Sequence, residues 1–197
     1  MPIGRACRVI GPAERGPDSL AAMAVVYLGI DEAGYGPMLG PLTVAMAGFR
    51  IETEPGGHEA AAPDLWERLR RAVSRNLREA AGRIAVADSK KLKLPNSSKT
   101  RHPLTHIERG VMAFLGASNV HVFDDAGLFE AVGVVVGSEA WYAGPSVPLP
   151  LGIDEGTLRL DIARLERAME AEGVSLLGLR CRALDAPAFN TSLDRER

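Results

Sequence analysis

The sequence is poor in cysteine, lacks long apolar runs and carries almost no net charge. Cys7 and Cys181 are the only cysteines; they form no CxxC pair and no disulfide framework, which favours a reducing, cytoplasmic compartment. No apolar run reaches the ~20 residues of a membrane span, so no membrane association is expected. A net charge of −2 excludes an attraction of the whole molecule to polyanions. There is no internal repeat, no low-complexity tract and no evident protein partner.

The length of 197 residues is enough for one domain with a sizeable core. Residues 1–22 contain glycine, proline and arginine without a period and are predicted to be a disordered extension, so that translation could start at Met1 or at Met23. Residues 23–197 then form the domain. The apolar run Leu20–Ile30 leads directly into Asp-Glu-Ala-Gly without a cleavage pattern, so it predicts a strand and not a signal peptide.

An acidic turn between two apolar runs is the central feature of the sequence. Strands are predicted over 25–33 and 40–51, and the short glycine- and proline-rich connection favours an antiparallel hairpin. Asp31 and Glu32 stand at the end of the first run. Adjacent carboxylates there are either a solvated turn or a metal site.

Apolar periodicity predicts three helices and one further strand. The first helix covers Asp64–Ala81, with Asp64 as N-cap and Gly82 after it. Its basis is the apolar repeat of Leu65, Leu69, Val73 and Leu77 at every fourth position. The second opens with a capping box at Thr105 and Glu108, with Ile107, Val111 and Leu115 inward. The third begins at a Thr157 cap, ends at Gly173 and has one face made of Leu158, Ile162, Leu165 and Met169. Val174–Leu184 is the strand, with Leu177, Leu179, Cys181 and Ala183 on one face and Arg180 and Arg182 on the other.

The segment 117–156 has weaker patterns. A strand is possible over Asn119–Phe123, and the proline-containing stretch 141–152 predicts an extended loop, so 120–156 is interpreted as an insertion. After the last strand, Ser192–Arg197 end the sequence without a predicted element. His102 and His106 have i, i+4 spacing, but Pro103 separates them, which argues against a zinc site.

A basic segment stands out from the nearly neutral whole. Between Arg68 and Arg101 lie eleven of the 23 basic residues, against only Glu79 and Asp88. Such a segment indicates either a surface that faces a polyanion or the solvated face of a helix.

Two motifs in this order carry a resemblance to a known family. The sequence GIDEAGYGPMLGP around Asp31 is followed about fifty residues later by Asp88-Ser89-Lys90-Lys91-Leu92. This pattern resembles the type 2 ribonuclease H family (ribonuclease HII) from about Leu28 to Leu115. Weaker similarity resumes at 184–185 and 189–190. From the residues alone, Asp88 could equally be an N-cap or Asx-turn residue.

The resemblance implies an α/β, ribonuclease H-like fold: a central mixed sheet opened by an antiparallel hairpin, with flanking helices. It implies endonucleolytic hydrolysis of RNA in RNA/DNA hybrids. Asp31 and Glu32 would be catalytic ligands of Mg²⁺ or Mn²⁺, which prefer oxygen donors and offset charge on the reacting phosphate. The remaining implied residues contact the nucleic acid: Gly34, Tyr35 and Gly36 at the cut site, and Ser89, Lys90 and Lys91 on backbone phosphates.

Two departures from the family pattern limit these expectations. Tyr35 replaces the family's arginine, which puts specificity for an RNA–DNA junction in question. The family's third and fourth carboxylates lie beyond the matched segment; Asp185 is a tempting substitute, and Asp194 lies in an expected frayed tail. We therefore expect the 197-residue chain to be inactive or nearly so alone. The alternatives are a non-catalytic nucleic-acid-binding module and a gene fragment without function.

Overall fold

The computed structural model describes residues 23–34, 40–53, 63–137 and 142–194. The predicted extension 1–22 lies outside these residues. The strands are β1 (Met23–Ala33), β2 (Leu42–Thr53), β3 (Val73–Ser74), β4 (Ile84–Ala85) and β5 (Val174–Leu184). The helices are α1 (Leu65–Arg68), α2 (Ser89–Leu92), α3 (Thr105–Gly116), α4 (Asp125–Val132), α5 (Glu155–Ala171) and α6 (Ala186–Asp194). None of the helices described is long and apolar enough to cross a membrane.

The main sheet has three antiparallel strands in the order β1-β2-β5. The predicted hairpin of the first two strands is confirmed, with Met23 opposite Thr53 and Ala33 opposite Thr43. The predicted mixed sheet is not found in the described part of the chain, because the parallel pair β3-β4 forms a separate two-stranded sheet. The architecture is thus mixed α/β, with helices flanking an antiparallel sheet.

A β-bulge in β5 changes the predicted alternation of its side chains. Gly48 pairs with Gly178, but the next residue, Phe49, pairs with Leu176. The extra residue, Leu177, is 53% exposed, so its predicted place on the face of Leu179 is wrong. Leu176 and Leu179 both pack on the core because the inserted residue shifts the period of two by one position.

Helices α3 and α5 supply most of the core on one face of the sheet. The predicted stripe of α5 is confirmed, because Leu158, Leu165 and Met169 are buried in the main cluster and Ile162 packs against it. Gly116, at the end of α3, allows α5 to approach closely, since a Cβ there would lie 2.4 Å from Ile162 Cδ1. The core therefore lies between the sheet and these two helices.

A buried ion pair joins α3 to α5 beside this core. Arg109 donates from Nε and Nη2 to the Asp161 carboxylate, at 2.6 and 2.8 Å, and from Nη2 to Gly82 O at 2.8 Å. The side chain of Asp161 is only 3% exposed. This bidentate bridge satisfies a carboxylate that would otherwise be buried as an isolated charge.

The predicted helix over Asp64–Ala81 is wrong beyond its first turn. Asp64 is the N-cap, as predicted, and accepts from the backbone N–H groups of Trp66 and Glu67. The helix ends at Arg68, because Val73 and Ser74 enter a parallel pair with β4. Both residues are buried. Pairing and burial here outweigh the helix propensity of a stretch rich in leucine, arginine and alanine, because tertiary context overrides local propensity.

The starts of the two long helices also differ from prediction. Thr105 is the first helical residue of α3 and donates to His102 O, while Leu104 is the N-cap without a side-chain cap bond. The predicted capping box is therefore wrong. Glu108 instead accepts from the backbone N–H groups of Leu151 and Gly152. At α5 the cap is Asp154, which accepts from both the amide and the hydroxyl of Thr157.

Helices α2, α4 and α6 occupy segments where no helix was predicted. The possible strand Asn119–Phe123 is not formed; α4 follows it, capped by Asp124, whose carboxylate accepts from Gly127 N. The stretch 142–152 is an extended loop, as predicted, and Pro148 forms an isolated bridge with Asp124. At the far end, α6 reaches Asp194, so the prediction of no terminal element is wrong.

Candidate functional site

Asp31 and Glu32 lie inside β1 and not in the turn that follows it. They pair with Ala45 and Val44 of β2, and the strand continues to Ala33. Both carboxylates are exposed, and Asp31 Oδ1 accepts from Glu32 N at 3.0 Å. Because successive side chains of a strand point to opposite faces, the two carboxylates lie on opposite sides of the sheet.

Asp31 shares its face with an apolar cavity. Tyr27, four residues earlier, lines a cavity of about 330 Å³ together with Phe49, Phe114 and Ser89. The period of two places Tyr27 and Asp31 on the same side, with the carboxylate about 13 Å farther along the strand. Asp31 therefore faces the helix-covered side of the sheet, where Ser89 begins α2.

Glu32 lies on the open side of the sheet. Its neighbours on that face of β1 are Val26, Leu28 and Ile30, which are 56%, 54% and 69% exposed. Leu28 Cδ2 also lies 3.0 Å from the position that a Cβ on Gly48 of β2 would take, so Leu28 and Gly48 are on the same face of the sheet. The two carboxylates of the motif thus have different surroundings.

The turn after β1 depends on glycine at its first position. Gly34 has φ +81°, and a Cβ there would lie 2.6 Å from Pro41 O. Thr43 Oγ1 donates to Ala33 O at 3.3 Å beside it. Tyr35 and Gly36, the other predicted contacts of this turn, lie outside the described residues. The predicted contact of Gly34 with a nucleotide stays a prediction.

Substituting Gly34 by alanine is expected to destabilise the protein more than substituting Gly40. Gly40 also has positive φ, +88°, but nothing lies within 4 Å of its Cβ position. Gly40→Ala should therefore cost only the left-handed backbone penalty, about 1–2 kcal/mol. Gly34→Ala adds a backbone clash of about 1–3 kcal/mol. Urea unfolding of both variants measures the difference, and equal losses would contradict the close approach of Pro41.

The second motif forms the short helix α2. Asp88 is its N-cap and accepts from Lys90 N at 2.8 Å, so the structural interpretation of this aspartate is confirmed. Ser89, Lys90 and Lys91 are exposed, whereas Leu92 is buried. Exposed hydroxyl and ammonium groups at one short helix can reach phosphate oxygens. Their predicted role is compatible with this placement and is not tested by it.

The basic segment is divided between structural and exposed side chains. Arg75 pairs with Asp64 and lies 4.7 Å from the centroid of the Trp66 ring. The hydrogen bond from Arg75 lowers the pKa of Asp64. Arg83 donates to three backbone carbonyls, those of Arg70, Glu79 and Ala80. Part of the basic charge therefore holds the turns after α1 together.

The two histidines of the i, i+4 pair have different settings. His102 precedes α3, and its Nδ1 accepts from Leu104 N at 3.3 Å. His106 lies in α3 and is 7% exposed. Burial lowers the pKa of His106, and the nearby Arg101 and Arg109 lower it further. The neutral imidazole is therefore the favoured form in the folded protein.

Asp185 follows β5 at the same end of the sheet as Asp31. Its Oδ1 accepts from Tyr142 Oη at 2.9 Å. Because β2 lies between β1 and β5, the strands that carry the two aspartates are about 10 Å apart. This separation does not favour a directly bound ion shared by Asp185 and Asp31.

The described carboxylates do not fit a site for two divalent ions. Asp31 and Glu32 face opposite ways, and Asp185 is two strands away. Among the residues described, no group of three or more histidine, cysteine, aspartate or glutamate side chains could hold a metal ion. Mg²⁺ held by one carboxylate keeps most of its waters and binds weakly.

Comparison with models of known protein families, with curated proteins and with solved structures found no match. The fold and the site define a mixed α/β protein whose antiparallel sheet carries an acidic pair on its first strand. The similarity to the type 2 ribonuclease H family therefore rests on the sequence motifs.

Proposed function

We propose that this chain is a ribonuclease HII-like protein that binds RNA/DNA hybrids and hydrolyses their RNA strand with Mg²⁺ or Mn²⁺. The observation that carries the proposal is the shared face of the two motifs. Asp31 lies on the side of the sheet where Ser89 lines the cavity beneath β1. Segments separated by about fifty residues are thus on one side of the molecule.

The residues of the two motifs have separate tasks in the proposal. Lys90 and Lys91 are exposed cations that would hold backbone phosphates, with Ser89 as a hydroxyl donor. Gly34 presents its backbone without a side chain, which lets a nucleotide approach the turn. Asp31 is the candidate ligand for a divalent ion on this face. Glu32 could assist only if the strand end rearranged.

A non-catalytic hybrid-binding module is the second candidate, and the opposed carboxylates favour it. Binding through lysines and backbone amides requires no metal ligand. A cation held by Asp31 alone would be bound weakly, so any hydrolysis should be slow and should need millimolar metal. Binding without hydrolysis would be sensitive to salt and unaffected by EDTA.

Cleavage of a hybrid by the purified chain distinguishes the two candidates. With millimolar Mn²⁺, slow cleavage of a labelled 20-base-pair RNA/DNA hybrid is expected. Asp31→Asn should lower its rate at least about 100-fold, since the charge stabilisation that a metal supplies is worth several kcal/mol. Asp185→Asn is the matched control, because that carboxylate is bonded to Tyr142 and lies two strands away.

Three results of this assay are informative. Loss of cleavage in Asp31→Asn alone supports the nuclease. Equal loss in Asp185→Asn would show that the proposed ligand assignment is wrong. Hybrid binding with no cleavage at any Mn²⁺ or Mg²⁺ concentration would replace the nuclease by the binding module.

A further inference from the structure

Four arginines converge on a cleft that the motifs do not involve. Arg68 ends α1 and Arg71 follows it, while Arg164 and Arg167 lie on α5. Together they line a cavity of about 400 Å³, in which Glu172 is the one acidic residue among the lining residues that the structure describes. These described lining residues have a net charge of +3. Arg164 and Arg167 are spaced i, i+3, which places them side by side on the helix.

Two of these arginines hold the walls of the cleft. Arg68 Nη1 donates to Glu52 O and Glu172 O, at 3.2 and 3.4 Å. Arg164 Nη1 donates to Gly82 O at 3.0 Å. These bonds join the end of β2, the end of α5 and the turn before β4, so the two guanidinium groups are fixed in position.

The other two arginines keep donors available for a ligand. Arg71 is exposed and makes no hydrogen bond or ion pair with any residue that the structure describes. Arg167 donates from Nε to Ala163 O of its own helix, at 3.0 Å. A guanidinium has five N–H donors, so the terminal nitrogens of both side chains remain for a partner.

Like charges gathered at one place repel one another, and an anion relieves this repulsion. Guanidinium groups bind phosphate in a bidentate manner, which a planar fork of donors permits. The lining also contains apolar side chains of α5, among them Leu160, which is 68% exposed. A phosphate-bearing chain with an apolar edge, such as a sugar–phosphate backbone, matches this mixture of guanidinium and apolar groups.

We propose that this arginine cleft binds the phosphate backbone of a nucleic-acid strand. The identity of the polyanion rests on the proposed function. Glu52, to which Arg68 is bonded, pairs with Ala24, seven positions before Asp31 along β1. The cleft is thus about 23 Å from Asp31 along the sheet. At about 3.4 Å per nucleotide, roughly seven nucleotides span this distance.

The test measures binding in EDTA, so that hydrolysis does not contribute. A fluorescent 20-base-pair RNA/DNA hybrid is titrated with the full chain and with the double variant Arg71→Gln/Arg167→Gln over a salt series. Loss of two phosphate contacts should reduce the slope of log K against log salt by about 1.8 and weaken binding about 10- to 100-fold at moderate salt. Arg159→Gln is the matched control, because Arg159 lies on α5, pairs with Glu155 and does not line the cleft.

A second variant and a second probe complete the test. Arg71→Glu alone should weaken hybrid binding more than Arg71→Gln, and thermal unfolding checks that each variant is folded. An unchanged salt slope in the double variant, or an equal loss in Arg159→Gln, would overturn the proposal. Tripolyphosphate is the second probe. If it binds in this cleft while the variants leave hybrid binding unchanged, the proposal is also overturned, because the cleft would then accept only small oligophosphates.

The proposal for the arginine cleft and the proposal of nuclease activity can be refuted independently of each other. Weaker hybrid binding by the double variant, with no cleavage by the wild type, supports the cleft and removes the nuclease. Cleavage by the wild type, with unchanged binding by the double variant, removes the cleft and leaves the nuclease.

Discussion

Arg109→Ala is expected to lower the free energy of unfolding by about 3–5 kcal/mol, because it leaves a buried carboxylate without its partner. Asp161 is 3% exposed and accepts both bonds of the Arg109 fork, at 2.6 and 2.8 Å. The next cation, Arg164, lies 4.0 Å away and is itself half exposed. Urea unfolding followed by circular dichroism measures the loss.

An exposed pair on the same helix provides the control. Arg159 bonds Glu155 at 3.0 Å, but the two side chains are 79% and 72% exposed. Arg159→Ala should therefore cost about 0.5 kcal/mol or less. The double replacement Arg109→Met/Asp161→Leu should recover most of the loss, since it removes both buried charges. A cost for Arg109→Ala no larger than that for Arg159→Ala would contradict this view of the bridge.

The elements that the sequence predicted well are those in which local and tertiary signals agree. β5 begins and ends where the pattern placed it, and the α5 stripe of Leu158, Leu165 and Met169 is buried. In the hairpin, apolar runs flank a turn that needs glycine, as the positive φ of Gly34 shows. Such agreement makes a pattern reliable.

The wrong prediction of a helix over Asp64–Ala81 shows what an apolar repeat of four residues indicates and what it does not. Leu69 and Val73 are both buried, as the repeat predicted, yet Val73 lies in a strand. Periodicity indicates which side chains are buried, and the backbone that buries them can be a turn followed by a short strand. The partner strand, β4, is a two-residue element that no local pattern could specify.

The candidate site was predictable in residue type and not in geometry. The motif placed two carboxylates next to each other, but whether they converge depends on how far the strand continues. Here Ala33 still pairs with Thr43, so the regular pleat includes Asp31 and Glu32 and separates their side chains. The arginine cleft was missed because Arg68 and Arg164 are distant in sequence and meet only through tertiary packing.

Leu165→Ala is expected to lower the free energy of unfolding by about 3–5 kcal/mol, close to the loss for Arg109→Ala. Leu165 is fully buried on the inner face of α5, within the cluster that joins the sheet to α3. Its truncation removes apolar contacts and leaves a cavity that the neighbouring elements cannot fill without moving. The midpoint and slope of urea unfolding measure the effect.

Leu160→Ala is the control that separates the effect of burial on the free energy of unfolding from the effect of replacing leucine by alanine in a helix. Leu160 lies on the same helix and undergoes the same chemical change, but it is 68% exposed, so a change within about 0.5 kcal/mol is expected. The difference between the two variants reports the packing of α5 on the sheet, because the intrinsic helix terms cancel. Equal effects would mean that α5 does not pack on the sheet through the face containing Leu165. The placement of Arg164 and Arg167 on α5 beside Arg68 and Arg71, which forms the arginine cleft, would then be in question.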